Sequence, residues 1–389
     1  MSGLNKKIGV VGIGNAGGQV AFLCEKKYGD LMNSVYINSS DADLAMVGDS
    51  PFKFKIGQAE LEGSGKNRTR TKKYLREDIR GILMDEDFQS LINGKKYVFV
   101  IASAAGGTGS GAAPVMLNIL REAFLDVNFI LVVILPQLQA SIMEQGNARE
   151  FTDELYGLLG DCTYMAYDNE TASDLGPTQA LVSVNEAIVE DIRVISGVDN
   201  FPTPYESIDE ADMESIVTTP GRLMVIRVIK NLSEKVLEDT SVDDILIKAI
   251  KTSRHAEINR DKKIVRCGMI TYFTEQVNSL YGSNLSKLQE FIGTPLERFN
   301  HNAVNGNSEQ MNFLYFIASG LSPINDRVKK MDERVDELKK ALDASNVGDY
   351  VTSDENNSYD VMAERKRKEK LGDRAGQEFQ VFDIFDKFQ

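Results

Sequence analysis

The sequence predicts an α/β fold: a parallel-sheet domain, a long core helix, a second α/β domain and a helical C-terminal tail. Three observations carry that prediction. Short apolar runs rich in Val, Ile and Phe alternate with amphipathic stretches through the first half. Glycine-rich turns stand where an apolar run gives way to a helical stretch. The alternation resumes after one long helical stretch near the middle of the chain. Strand–helix–strand order with right-handed crossovers yields a mainly parallel sheet.

The elements follow in order. "KKIGVVGIG", "SVYINSS", "KKYVFVIAS" and "NFILVVILP" read as buried strands, too short and too β-branched for helices. Between them, "GQVAFLCEKKYGDL" and "APVMLNILREAFL" are helical, the second with Pro114 near its start, where a missing N–H costs nothing. "TQALVSVNEAIVEDIRVISG" predicts a long helix closed by Gly197. After a Pro-containing loop, "GRLMVIRVI", "KKIVRCGMITYF" and "MNFLYFIASG" read as strands of the second α/β domain. Val328, Met331, Val335, Leu338 and Leu342 recur at helical spacing. "DASNVGDYVTSDENNSYD" is polar and reads as a linker. The expected divisions are residues 1–177, a core helix at 178–197, a second domain at 198–322, a C-terminal helix at 323–345 and a linker with tail at 346–389.

Composition narrows the function. A chain of 389 residues with 42% apolar content supports a sizeable core. Its net charge of −14 repels nucleic acid unless charge is segregated. Cys24, Cys162 and Cys267 are far apart and match no disulfide framework or metal spacing. His255 and His301 lack an acidic or Cys cluster, which disfavours a His-based triad or a zinc site. "MSGLNKKIGVVG" lacks a signal-peptide pattern, and no stretch approaches about 18 uninterrupted apolar residues. The expectation is a cytoplasmic protein without a membrane span.

The stretch "SAAGGTGSGAAP", residues 103–114, follows a strand and opens a helix. Parallel-sheet proteins bind ligands there, outside the carboxyl ends of the strands. Glycine lets backbone N–H groups approach an anion, a helix start near Ala112 adds its dipole, and Thr108 and Ser110 can donate hydroxyl bonds. A plain flexible turn needs fewer glycines. A second loop, Gly12-Ile13-Gly14-Asn15-Ala16-Gly17-Gly18-Gln19, satisfies G-x-G-x-x-G. Alone it would support an NAD-dependent oxidoreductase, with Asp41 or Asp43 on a ribose. Together with "GSGKNR" at 63–68, three glycine-rich loops suit a triphosphate better than a pyrophosphate. The pattern GxxxxGK[ST] is absent, which disfavours an ordinary Walker-type NTPase.

These motifs carry a family resemblance. "GGTGSG" resembles the tubulin/FtsZ superfamily signature GGGTG[ST]G, with Ala105 in place of its first glycine. "GIGNAGGQ" resembles the family's first phosphate loop and "INSSDADL" its second. "YDNET" and "VNEAIVEDI" resemble the two segments whose Asn residues meet the guanine base. The order holds over roughly residues 6–330. The branch resembled most is TubZ, the plasmid and phage tubulin-like proteins, through "DEADMESIVTTPGRL", "ILPQ...GNA" and "SGLSPINDRVKKMDERVDEL". The FEG…R ribose loop of FtsZ is missing, and Ser207 stands where FtsZ places an Asn. CetZ proteins share the "GNAGG" wording.

The resemblance implies a Rossmann-like GTPase domain and assigns roles. Gly12, Gly14, Asn15, Gly17, Gly18 and Gln19 line the α- and β-phosphates of GTP or GDP. Gly106, Gly107, Thr108, Gly109 and Ser110 hold the β- and γ-phosphates, with Ser39 and Gly65 nearby. Asn169 and Asn185 read the guanine edge, to which an amide offers both a donor and an acceptor. Apart from the resemblance, Asn169 is equally a turn residue, whereas Asn185 sits among apolar helix positions and needs a partner. Glu144, Asn147 and Arg149 are candidates for the ribose side, and Asp168 for a local backbone cap. Asp209 and Asp212 belong to the family's catalytic loop, which reaches the next subunit's nucleotide. By composition alone, "SIDEADMES" is a solvated helix start. Mg²⁺ is implied, held by phosphate oxygens and water.

The expected function is a tubulin-like GTPase that polymerises head to tail into filaments and partitions plasmid or phage DNA. A cell-division or cell-shape homologue of FtsZ or CetZ type is the alternative. The tail segregates charge: Arg365, Lys366, Arg367, Lys368, Lys370 and Arg374 precede Phe379, Phe382, Phe385 and Phe388. It reads as a docking peptide for a DNA-bound adaptor, with a contact between neighbouring subunits or a solvated helix as the other readings. Asp383 and Asp386 among the phenylalanines argue against membrane docking.

Overall fold

The computed structural model describes residues 8–57, 62–158, 161–196, 203, 207–229, 232–282, 285–305 and 312–344. The basic run and aromatic segment at 364–389, the linker from 346 and Gly197 lie outside the described residues. Residues up to Arg334 form one compact unit. Of the second, Val335–Gln389, only the end of the last helix is described.

The strands are β1 (Ile8–Ile13), β2 (Met32–Asn38), β3 (Lys53–Lys55), β4 (Tyr97–Ser103), β5 (Asn128–Leu135), β6 (Thr163–Asp168), β7 (Gly221–Val228), β8 (Arg266–Thr274), β9 (Glu297–Asn305) and β10 (Phe313–Leu321). The helices are α1 (Gly14–Tyr28), α2 (Asp41–Ala45), α3 (Arg68–Met84), α4 (Glu86–Ile92), α5 (Thr108–Ala123), α6 (Ile142–Leu158), α7 (Pro177–Ile195), α8 (Glu210–Val217), α9 (Glu234–Asp239), α10 (Val242–Thr252), α11 (Glu275–Leu280), α12 (Ser286–Ile292) and α13 (Asn325–Ala344).

All the described strands join one sheet, ordered β3-β2-β1-β4-β5-β6-β7-β10-β8-β9. β10 runs antiparallel to β7 and β8, and the other pairings are parallel. The strands of the expected second domain meet the earlier ones where β7 pairs β6, at Thr163↔Gly221 and Tyr164↔Arg222.

Both faces of the parallel part are covered, which explains its unbroken apolar strands. Along β1, Val11 and Ile13 pack on one face with Leu75 and Ile79 of α3, Met116 and Leu120 of α5, and Phe151 of α6. Ile8 and Val10 pack on the other face with Val20 of α1 and Val184, Ile188 and Ile192 of α7. A third apolar cluster lies between β7, β8 and β10 and Leu246 of α10 and Leu288 of α12.

Three strands are not visible in the sequence. β3 is three residues at the sheet edge, and its Lys53 and Lys55 suit an edge better than a core. β9, "ERFNHNAVN", is the opposite edge and lacks an apolar run. β6, "TYMAYD", is fully buried yet contains no Val or Ile. One helix start also differs from expectation. α5 begins at Thr108 rather than near Ala112, so Pro114 lies inside the helix. Its missing N–H leaves the Ser110 carbonyl without a helical donor. Arg68 donates to that carbonyl instead, at 3.3 Å from Nε and 3.0 Å from Nη2.

Candidate functional site

The carboxyl ends of β1, β4, β5 and β6 open on a cleft of about 800 Å³. α1 and α5 both point their N-termini into it. Neither helix has a side-chain cap at its start, a feature shared with α7 and α12, whereas α2, α3, α4, α8, α9, α10 and α11 are capped. The free N–H groups and dipoles of two helices therefore face one space, an arrangement that attracts an anion.

The two glycine loops meet at this point. Gly14 has φ +72°, and a Cβ there would stand 2.9 Å from the backbone nitrogen of Gly109. Gly107 leaves room for the third loop, since its Cβ would fall 2.2 Å from Ser64 Oγ. Thr108 sits between the loops: its Oγ1 lies 2.7 Å from Ser39 Oγ and 3.3 Å from Ser64 Oγ. All three hydroxyl residues are buried. Asn38 shapes the turn, accepting from the backbone nitrogens of Ser39 at 2.8 Å and Ser40 at 3.3 Å.

Of the residues expected at the site, Gly14, Asn15, Gln19, Ser39, Gly106, Gly107, Thr108, Gly109, Glu144, Asn169 and Asn185 line the cleft. Gly12, Gly17, Gly18, Gly65, Ser110 and Asn147 do not. Gly12 and Gly17 lie beneath the first turn, closely packed on each other. Ser110 turns its hydroxyl back to the Gly106 carbonyl. Asn147 ties the loops from behind, donating from Nδ2 to the carbonyls of Lys66 at 2.9 Å and Ala105 at 3.1 Å. Arg149 pairs with Asp153 and Asp332 and does not line the cleft. Ser64 and Lys66 do line it, although the sequence points to Gly65 in that loop. A hydroxyl between two glycines, as in "GTGSG", is the signal that could have found Ser64.

Polar groups ring the far end. Lys66 Nζ lies 3.0 Å from Glu144 Oε1. Burial alone would raise the Glu144 carboxyl, but hydrogen bonds from Ser141 and Lys66 outweigh it and hold it below the usual range. Asn169 Oδ1 is buried, without a hydrogen-bond partner, on a residue that lines the cleft. Asn185 faces the same space from α7, beside Pro177, Ala180 and Leu181. Ile134 and Pro136 complete an apolar wall. The chamber thus has an anion-attracting end and an end with a planar-ligand wall and two amides. A nucleotide fits that chemistry, and the orphaned Asn169 oxygen fits a base that donates to it.

Asp168 caps the turn after β6, accepting from the backbone nitrogen of Glu170 at 3.0 Å. It is also salt-bridged to Arg327. Burial pushes its carboxyl up, against the downward pull of Arg327.

Asp209 and Asp212 stand elsewhere. Asp209 Oδ1 accepts from the backbone nitrogens of Ala211 and Asp212, both at 2.8 Å, and Asp212 Oδ2 accepts from Asp209 N at 3.2 Å. This is a reciprocal capping box on α8. Lys96, immediately before β4, binds Glu210 at 3.2 Å and Glu214 at 3.3 Å. The acidic pair therefore lies at the amino end of the strands. A seven-residue strand such as β4 spans roughly 20 Å, so the pair is remote from its own chain's cleft. Among the described residues, no group of three or more His, Cys, Asp or Glu could hold a metal ion. No described helix is long and apolar enough to cross a membrane.

Residues 7–174 match the family model described as "Tubulin/FtsZ family, GTPase domain". The chain is 23% identical to the tubulin-like protein TubZ of Clostridium botulinum C phage, over 99% of this chain and 100% of that protein. Its fold resembles the GTPγS-form protofilament of Bacillus thuringiensis serovar israelensis TubZ, with TM-score 0.73, 15% identity and coverage of 90% and 96% of the two chains. CetZ1 of Haloferax volcanii, a GDP-bound monomer, gives TM-score 0.66 at 18% identity, covering 86% and 99%. The match is to a GTPase domain, which sets aside the oxidoreductase reading of the first glycine loop.

Proposed function

We propose that this chain, whose residues 7–174 belong to the Tubulin/FtsZ family of GTPase domains, assembles head to tail and hydrolyses GTP between successive subunits. The carrying observation is the separation of the cleft from Asp209 and Asp212. They occupy opposite ends of one sheet, so stacking subunits in one orientation brings the acidic pair of one onto the cleft of the next. Phosphoryl transfer to water needs positioning and charge stabilisation rather than a strong base. The free N–H groups of α1 and α5 supply the charge stabilisation, and a carboxylate from the neighbour orients the water. Mg²⁺ neutralises phosphate charge when bound, held by phosphate oxygens and water.

Partition of plasmid or phage DNA in a cytoplasm is the cellular role we favour over division or cell shape. Similarity to the phage relative across 99% of this chain supports that choice. The tail at 362–389 would then recruit a DNA-bound adaptor. Its deletion should spare GTP hydrolysis and abolish adaptor pelleting with filaments.

The test of assembly-coupled hydrolysis is complementation. Asp212→Ala should bind GTP without turning it over, and Thr108→Ala should lack tight nucleotide binding but carry the acidic pair. With GTP held between the two dissociation constants, mixing the two should give phosphate release well above the sum of the variants alone. No recovery, or a specific activity independent of protein concentration, would contradict the head-to-tail reading.

A further inference from the structure

Arg327 lies 159 residues from Asp168, yet the two are buried together. Arg327 Nε donates to Asp168 Oδ2 at 2.5 Å, and Nη2 to Asp168 Oδ1 at 3.1 Å. The same Nη2 donates to the Pro136 carbonyl at 2.6 Å. One guanidinium on α13 thus grips the ends of both β5 and β6. The loops that follow are cross-linked in turn. Leu138 N donates to Glu170 Oε2 at 2.7 Å, and Gln137 Nε2 to the Asn169 carbonyl at 3.4 Å. Arg334, two turns further along α13, donates from Nε to the Leu138 carbonyl at 3.2 Å. Gln137 and Asn169 both line the cleft, and Asn169 carries the orphaned buried oxygen.

We propose that Arg327 is a positioning residue for base selectivity: held on α13, it fixes Asn169 through Asp168 and the Pro136 loop so that one amide faces the base rigidly. The proposal rests on the reading that Asn169 meets the base of a bound nucleotide. A hydrogen-bonding group discriminates only when it is held in place, by roughly 0.5 Å for a preorganised site. Asn169 follows Asp168 directly, so any shift of the carboxylate moves the amide. Without the guanidinium, a buried carboxylate is left uncompensated and the end of β6 must relax. Lys cannot replace the grip, because an ammonium lacks the planar fork that reaches two carboxylate oxygens and a carbonyl together.

The experiment is calorimetric titration of the full-length wild type, Arg327→Lys and Arg327→Met with GTP, ATP and inorganic tripolyphosphate. Tripolyphosphate reports the phosphate end alone. The expected result is unchanged tripolyphosphate affinity in both variants, with GTP affinity lowered about tenfold, the worth of one well-made hydrogen bond. The GTP-over-ATP preference should narrow by the same factor. Should Arg327→Met not fold, Arg327→Lys decides, since it keeps the charge beside Asp168. A wild type indifferent between GTP and ATP overturns the base reading of Asn169 itself. A wild type that prefers GTP, with a folded variant keeping that preference, overturns the positioning role. Equal loss of tripolyphosphate and GTP overturns it too, because the defect is then general.

Discussion

The Ser110 carbonyl accepts two hydrogen bonds from the buried Arg68 guanidinium, at 3.3 Å and 3.0 Å. Pro114, four residues on, has no N–H to offer it. Arg68 opens α3 directly after the third glycine loop, and Glu150 and Glu154 of α6 lie 2.9 Å and 3.0 Å from its nitrogens. One side chain therefore ties the start of α3 to the first turn of α5 and to α6.

Arg68→Ala should destabilise the protein by about 2–3 kcal/mol, through an unsatisfied buried carbonyl and a lost buried cation. The loss sits toward the low end because Glu150 is largely exposed and rehydrates. Pro114→Ala restores the helical donor to Ser110. In that background Arg68→Ala should cost less, by about 1 kcal/mol, the net worth of one backbone hydrogen bond. Denaturant melts of the four-protein cycle check the coupling. Additive effects would show that Arg68 does not substitute for the missing N–H.

Thr108→Ala removes the hydroxyl shared with Ser39 and Ser64. It should weaken GTP, ATP and tripolyphosphate alike, by about tenfold, since one polar contact at the phosphate end is lost. A defect confined to GTP would place Thr108 near the base. This pattern is the inverse of that expected for Arg327.

The site divides sharply into what the sequence shows and what it hides. Gly14 and Thr108 are legible because their chemistry is local, a glycine-rich loop after a strand at a helix start, whereas Asn169, equally a turn residue by itself, is singled out only by the family resemblance. The resemblance singles out Gly65 where Ser64 and Lys66 line the cleft, because a matched motif does not say which way a loop residue points. Lys66 itself has φ +59°, a conformation that a glycine or asparagine would announce and a lysine does not. Arg68 and Arg327 are invisible as site residues, since each acts over a long sequence separation. An arginine in a polar helix reads as solvated until the fold buries it. Pro114 misplaces the start of α5 for the same reason, its compensating donor lying 46 positions earlier. The continuous apolar strands are plain, and the edge strands β3 and β9 are not, because edges lack the burial that writes an apolar run.

The three thiols should be inert in the native protein. Burial pushes Cys24 up to about 12, with the charge of Glu190 adding to it. Burial also raises Cys162 and Cys267, each to about 11. At pH 8 the thiolate fraction of a group near 11 is on the order of one in a thousand, and the thiolate is the reactive form. An aromatic disulfide reagent should find almost no thiol in folded protein and three per chain in denaturant. Fast reaction of any one in the native state would show that its surroundings open readily.

The capping role of Asp209 and Asp212 can be separated from the catalytic role proposed for them. As a capping box they close the start of α8, where losing an N-cap costs about 0.5–2 kcal/mol. As an acidic pair they would meet a neighbour's nucleotide and act on the transition state. Alanine removes both roles at once, so slower hydrolysis in Asp209→Ala alone is ambiguous. Ser is a good N-cap residue, and Asp209→Ser keeps an oxygen for the Ala211 and Asp212 nitrogens while removing the carboxylate. Asp212→Asn likewise keeps an acceptor for the Asp209 nitrogen. If the pair is catalytic, both substitutions should leave melting temperature and GTP affinity near wild type and cut turnover by about a hundredfold. That is the scale expected for a group that assists proton transfer only in the transition state. Filaments of these variants should persist after GTP addition, followed by light scattering beside phosphate release. If the carboxylates serve the helix alone, the two variants hydrolyse at the wild-type rate, and the residue that orients the water must be sought elsewhere on the amino-end surface of the sheet.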